Sequence, residues 1–206
     1  MEFTVASDTE KLEVQTSSEG AGPRYHRVYS IDLPVPFERA ADSMAQLKAD
    51  PNLFSPSLIA KFEKTKGATG HLKVDDEFMV HISGPWQGPV RVSQATDLSF
   101  TLLTLEGHLE AGQIQFSLHR NAHGNARFEI ESITRSRDKL VDFFYDKIRF
   151  AMFAQSQMWE LFCKNFAVKA MGEGEPPDVQ IRTEKQDRDT GLWSDVSDQL
   201  GARGIT

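Results

Sequence analysis

The chain has 206 residues, 39% of them hydrophobic, and a formal net charge of −7, which is enough to bury one good core and calls for a single domain. The acidic balance excludes a groove built to neutralise phosphates and an affinity for anionic membrane surfaces, so no nucleic acid partner is expected. No apolar run approaches the ~20 residues of a membrane span, the single cysteine, Cys163, rules out an internal disulfide, and residues 1–20 lack an export signal, so a cytoplasmic location is expected.

Residues 1–22 are polar and without sustained periodicity, and read as a loosely held arm. Arg24 to Leu33 alternates as a strand, and Pro34 and Pro36 end it before a helix with Phe37, Ala40, Met44 and Leu47 at helical spacing. Ser55-Pro56 resembles an N-cap with proline in the first turn, predicting a second short helix through Leu58, Ile59 and Phe62 to Gly67. The period then changes to two. His71–Val74, Glu77–Ser83, Val90–Ala95, Leu98–Leu105, Gln113–Arg120 and Arg127–Thr134 read as six strands, and the short turns between them allow only antiparallel neighbours.

Ser136 or Arg137 through Ala170 carries no glycine or proline. On a 100° wheel Leu140, Phe144, Ile148, Ala151, Gln155, Met158, Phe162 and Phe166 share one face, widened by Phe143 and Trp159. This predicts one long helix laid against a large apolar surface. Residues 172–206 follow Pro-free helix with eight acids against four bases and read as a solvated acidic tail, in which Trp193 is the residue suited to docking. The expected division is therefore an arm over 1–22, one domain over 23–171 and a tail over 172–206.

A strand, two short helices, six antiparallel strands and a long C-terminal helix resembles the helix-grip fold of the START-like, or SRPBCC, superfamily. The resemblance implies an α+β protein in which a curved seven-stranded antiparallel sheet wraps the long helix. Within the superfamily, TLEGHLEAGQIQF is similar to the signature of an uncharacterised bacterial and plant family, matched at Thr104, Leu105, Gly107, His108, Glu110, Gly112 and Phe116. Leu109 stands where that family usually has proline. Such a fold implies a gap between sheet and helix that large side chains either fill or line.

Three readings of the function stay open. In the first, a small apolar or aromatic molecule is held by Phe100, Phe116, Phe144, Ile148, Met158, Trp159 and Phe162, with His81 and Trp86 at the mouth. In the second, a filled core scaffolds an interaction protein. In the third, His108 is the acid or base of a cyclase or dehydratase, with Glu110 as its orienter. Glu106, His108 and Glu110 fall at every second position, but so short a turn seldom presents three convergent metal ligands, and no metal is expected. Neither a phosphate-binding glycine loop nor a nucleophile elbow occurs, and no cofactor is expected. Homo-oligomerisation is left open.

Overall fold

The computed structural model describes residues 12–18, 20–82, 86–137 and 145–197, with only the main chain described for Ala21, Trp86 and residues 145–156. The strands are β1 (Ala21–Pro36), β2 (Ala60–Lys66), β3 (Glu77–Ile82), β4 (Trp86–Ala95), β5 (Ser99–Thr104), β6 (Glu110–Arg120), β7 (Asn125–Ser136), β8 (Gln180–Gln186) and β9 (Trp193–Asp195). They form one antiparallel sheet in the order β2-β3-β4-β5-β6-β7-β1-β8-β9. The helices are α1 (Phe37–Ala49) and α2 (Tyr145–Met171).

Among the described residues the sheet thus has nine strands where seven were expected. Both extra strands come from the segment expected to be a tail. β8 pairs with β1 along its length, Tyr29 facing Ile181 and Arg27 facing Thr183, and β9 pairs with β8. Only Thr183 of β8 is buried, so the strand carries no apolar alternation to announce it. The open N–H and C=O groups of β1's free edge supply the reason to pair.

Two other expectations fail for local reasons. No second helix follows Ser55-Pro56. The Ser55 hydroxyl donates to the Ala60 carbonyl and closes a single turn, Leu58 stands 91% exposed, and the chain continues as β2 with Ala60 and Phe62 buried in alternation. Asn52, in a 3-10 turn over Pro51–Leu53, takes a strand's part beside Phe62, accepting its N–H and donating to its C=O, both at 2.8 Å. His71–Val74 is a loop rather than a strand. Its shape is set by the Asp76 carboxylate, which accepts from the Lys73 amide and the Lys64 ammonium.

One face of the sheet packs on α2. Its buried side chains are Phe62 on β2, Phe78 and Val80 on β3, Val90 and Val92 on β4, Phe100 and Leu102 on β5, Phe116 and Leu118 on β6, Phe128 and Ile130 on β7, and Tyr29, Ile31 and Leu33 on β1. Alternation along each strand sends these to a common side. From α2, Met158, Trp159, Phe162, Cys163, Phe166, Ala167 and Ala170 meet them, all 6% exposed or less. The aromatic rings interlock: Phe128 stacks on Phe166 at 3.9 Å, Phe100 on Phe116 at 4.6 Å, and Phe116 contacts both Trp159 and Phe162. Truncating a ring so placed costs about 3–5 kcal/mol. No helix among the described residues is long and apolar enough to cross a membrane.

Candidate functional site

Phe166 lies on Phe128, which pairs with Ile31, and the Cys163 thiol points at the Tyr29 carbonyl, so α2 and β1 run in the same direction. A helix rises about 1.5 Å per residue against about 3.3 Å for a strand. Two residues back along β1, from Tyr29 to Arg27, therefore correspond to about one helical turn back from Cys163, the level of Trp159. At this level the inner face of the sheet changes character. Arg27 faces Ser132 on β7, Ser132 faces Ile114 on β6, and the next inward row brings Thr134 opposite Tyr25 and Gly112. Arg27, Ser132 and Thr134 are all buried. Aromatic packing thus gives way to a polar rim.

His108 joins that rim through a turn. Gly107, at φ 97°, lets the chain reverse after β5, and the His108 amide donates to the Leu105 carbonyl. The ring comes to lie over Gly88 of β4, where an added Cβ would sit 2.3 Å from its Cδ2 and 2.5 Å from its Nε2. Gly88 pairs with Val80 and has the strand parity of buried Val90, so the imidazole lies on the helix-facing side of the sheet. Its Nδ1 is 3.0 Å from both the amide nitrogen and the carbonyl oxygen of Glu110. An amide N–H can only donate, so we assign Nδ1 of the neutral ring as its acceptor and place the ring proton on Nε2. Among the described residues Nε2 has no hydrogen-bond partner.

Burial pushes the His108 pKa below its ordinary 6.5, the Arg137 charge adds to that, and the Glu110 charge and carbonyl oppose it. The contact with Glu110 runs through the main chain. The Glu110 carboxylate is directed instead toward Arg27, 3.9 Å from a guanidinium nitrogen. Arg27 also lies over the Tyr25 ring at 4.8 Å.

The turn is strapped by the segment before β1. Val14 bridges Leu105, and the Gln15 side-chain amide donates to the carbonyls of His108 and Glu110 at 3.1 and 2.9 Å. The Thr104 hydroxyl accepts from the Gly112 amide at 2.9 Å. Residues 12–16, expected to be a loose arm, therefore hold the loop that carries His108. The short alternation of Leu12 and Val14, which suits a strand fragment able to pair weakly, was the sole signal in their sequence, because the contacts are main-chain or from a lone glutamine.

Of the other candidate residues, Phe100, Phe116, Met158, Trp159 and Phe162 come together in the aromatic core. His81 stands apart, its Nε2 2.8 Å from the Glu63 carboxylate. Phe144 lies outside the described residues, as do the side chains of Ile148 and Trp86. Cys163 is fully buried and its burial pushes the thiol pKa far up, the opposite of a nucleophile's environment. No three His, Cys, Asp or Glu side chains among the described residues stand together as a metal site.

The sequence reading missed Arg27, which a strand reading of RYHRV places on the same face as Tyr25 and Tyr29. On the opposite face of the sheet, His26 is held between the carboxylates of Glu131, at 2.6 Å, and Glu184, at 2.9 Å, with Trp193 edge-on at 6.1 Å.

Fold and site define an α+β protein in which a broad antiparallel sheet packs one face on a long helix and ends that face in a polar rim. A conserved protein from Geobacillus kaustophilus shares the fold, with a TM-score of 0.50 at 12% identity over 76% of this chain and 98% of that one. Ara h 8.0201 aligns with a TM-score of 0.46 at 12% identity, over 72% of this chain and 99% of its own. Protein NE0264 from Nitrosomonas europaea aligns at 0.44 and 10%, over 71% and 94%. No curated protein sequence matches the chain. Residues 35–163 match the family model described as Domain of unknown function (DUF1990), and the chain belongs to that family.

Proposed function

We propose that the protein binds a small apolar or aromatic molecule between the sheet and α2, at the level of Trp159, Arg27 and His108, without transforming it. The observation that carries this reading is the position of the His108 ring over Gly88, on the face of the sheet that also bears Phe100 and Phe116. A ligand there has an apolar wall on one side and polar groups to orient it on the other, the usual make-up of a small-molecule site. Burying about 250 Å² of such a ligand contributes about 6 kcal/mol before the costs of association, enough for useful affinity without catalysis.

Titration with the neutral fluorophore N-phenyl-1-naphthylamine tests the reading. One saturable site per chain is expected, weakened at least tenfold by Ile114→Trp, which fills the half-buried position opposite Ser132. Fluorescence that rises without saturation, or that ignores Ile114→Trp, would sink it.

The closely packed rings of Phe54, Phe116, Trp159, Phe162 and Phe166 favour a second reading, a filled core that scaffolds an interaction protein. An acid–base pair of His108 and Glu110 has less support, since the Glu110 main chain rather than its carboxylate meets the ring.

A further inference from the structure

We propose that Arg24 and Arg135 bind a phosphate group, free or carried by a small molecule, on the face of the sheet turned away from α2. This site is separate from the one above, and neither stands or falls with the other. Strand register brings the two side chains together. Tyr25 faces Thr134 and His26 faces Ile133, so Arg24 and Arg135 follow as the next row on the side that bears His26, where the β1–β7 register begins to slip toward Ala21 and Ser136. On the other side of β1, Arg24 faces Gln186 of β8, and Arg188 stands two residues further on, in the turn before β9. The groups are close enough to act on one another: burial first, then the charges of Arg24 and Arg188, push the Arg135 pKa down.

Among the described residues no carboxylate pairs with Arg24 or Arg135. Glu131 and Glu184, further along the same face, are engaged by His26, and Glu184 by Arg182 as well. Arg135 is held in place: one terminal nitrogen donates to the Gly20 carbonyl at 2.9 Å, and a Cβ on Gly20 would lie 2.5 Å from its Cγ. Among the described residues, the side-chain nitrogens and oxygens shielded from solvent yet without a hydrogen-bond partner are the Nε atoms of Arg24 and Arg135. Such donors are costly to leave unmatched and call for an acceptor. Two of them on neighbouring guanidinium groups call for an anion. Each side chain as a whole is half-buried, so part of it stays within reach of solvent. A phosphate monoester is nearly doubly charged at neutral pH and so offsets two cations, and its tetrahedral oxygens receive guanidinium groups from two directions, which a planar carboxylate does less well. A net charge of −7 excludes a long groove for nucleic-acid phosphates, not one local site.

Titration of the full chain with inorganic phosphate and with phenyl phosphate at constant ionic strength, followed through the arginine Nε–H signals in proton–nitrogen NMR spectra, tests the proposal. The Arg24 and Arg135 signals should move together and saturate at one anion per chain, while sodium chloride leaves them in place. Arg24→Gln removes no described hydrogen bond and should keep the fold, yet weaken phosphate binding about tenfold, as the loss of one charged hydrogen-bonding partner implies. Tighter binding of phenyl phosphate assigns the site to an organic monoester, and equal or tighter binding of inorganic phosphate assigns it to the free ion. Signals that drift without saturating, that respond equally to chloride, or whose titration Arg24→Gln leaves unchanged overturn the proposal.

Discussion

The imidazole of His108 occupies the volume that a side chain at residue 88 would need: a Cβ on Gly88 would lie 2.3 Å from the ring's Cδ2. Contact that close forces one of the two to move. Gly88→Ala is therefore expected to lower stability by about 1–3 kcal/mol, the usual cost of overpacking, and to push the ring off the sheet. In a His108→Ala background the same substitution should cost little. Urea denaturation of the four combinations measures the coupling, and simple additivity would mean that the ring does not rest there.

Acid should act on His108 in a definite window. Its folded pKa lies below 6.5 because burial disfavours the charged ring. As the pH falls through 6.5 the unfolded chain takes up a proton that the folded chain refuses, so stability declines until the folded pKa is reached and then levels off on this account. His108→Gln should flatten that part of the profile. NMR titration of the imidazole should find it neutral at pH 6.5, and a ring more than half protonated there contradicts the assignment.

The opposite face of the sheet has its own acid-sensitive clasp. Hydrogen bonding from His26, then Arg182, holds the Glu184 carboxyl below its ordinary 4.5. A depressed carboxylate pKa adds stability at higher pH that is lost as the pH falls from that ordinary value through the folded one. Because Glu184 sits on β8 and Glu131 on β7, while His26 is on the strand between them, the clasp ties the C-terminal strands to the rest of the sheet. Glu184→Gln should raise hydrogen exchange in Gln180–Gln186 at neutral pH while leaving β5 and β6 unchanged. Uniform exchange across the sheet in both proteins would show that the clasp holds nothing.

Much of this architecture is legible in the sequence because it follows from periodicity. The helix over Tyr145–Met171, α1 and the strands from Glu77 to Ser136 come directly from apolar residues at helical or alternate spacing, although Ser136, expected at the start of the helix, ends β7 opposite Glu110, and residues 138–144 of the expected helix lie outside the described residues. What escaped has other causes. β2 was hidden because Ser55-Pro56 imitates a helix start, and because the exposed Leu58 supplied a false helical face. β8 and β9 were hidden because they are held by main-chain pairing and by the His26 clasp rather than by buried apolar side chains. His108 stood out by composition and spacing, but the side of the sheet it faces depends on the backbone of Gly88, twenty residues away on β4, the strand beside β5. Arg27 was passed over because an arginine in an alternating strand ordinarily faces water.

The central claim, a small molecule held between sheet and helix, is tested most directly by native mass spectrometry of the full chain purified from its own host without detergent, with organic extraction of whatever it carries. The account predicts one small apolar molecule per chain, released when the protein unfolds and lost from an Ile114→Trp variant. A chain of bare mass in repeated gentle preparations, together with an extract identical to that of the variant, would contradict it and leave the filled, scaffolding core in its place.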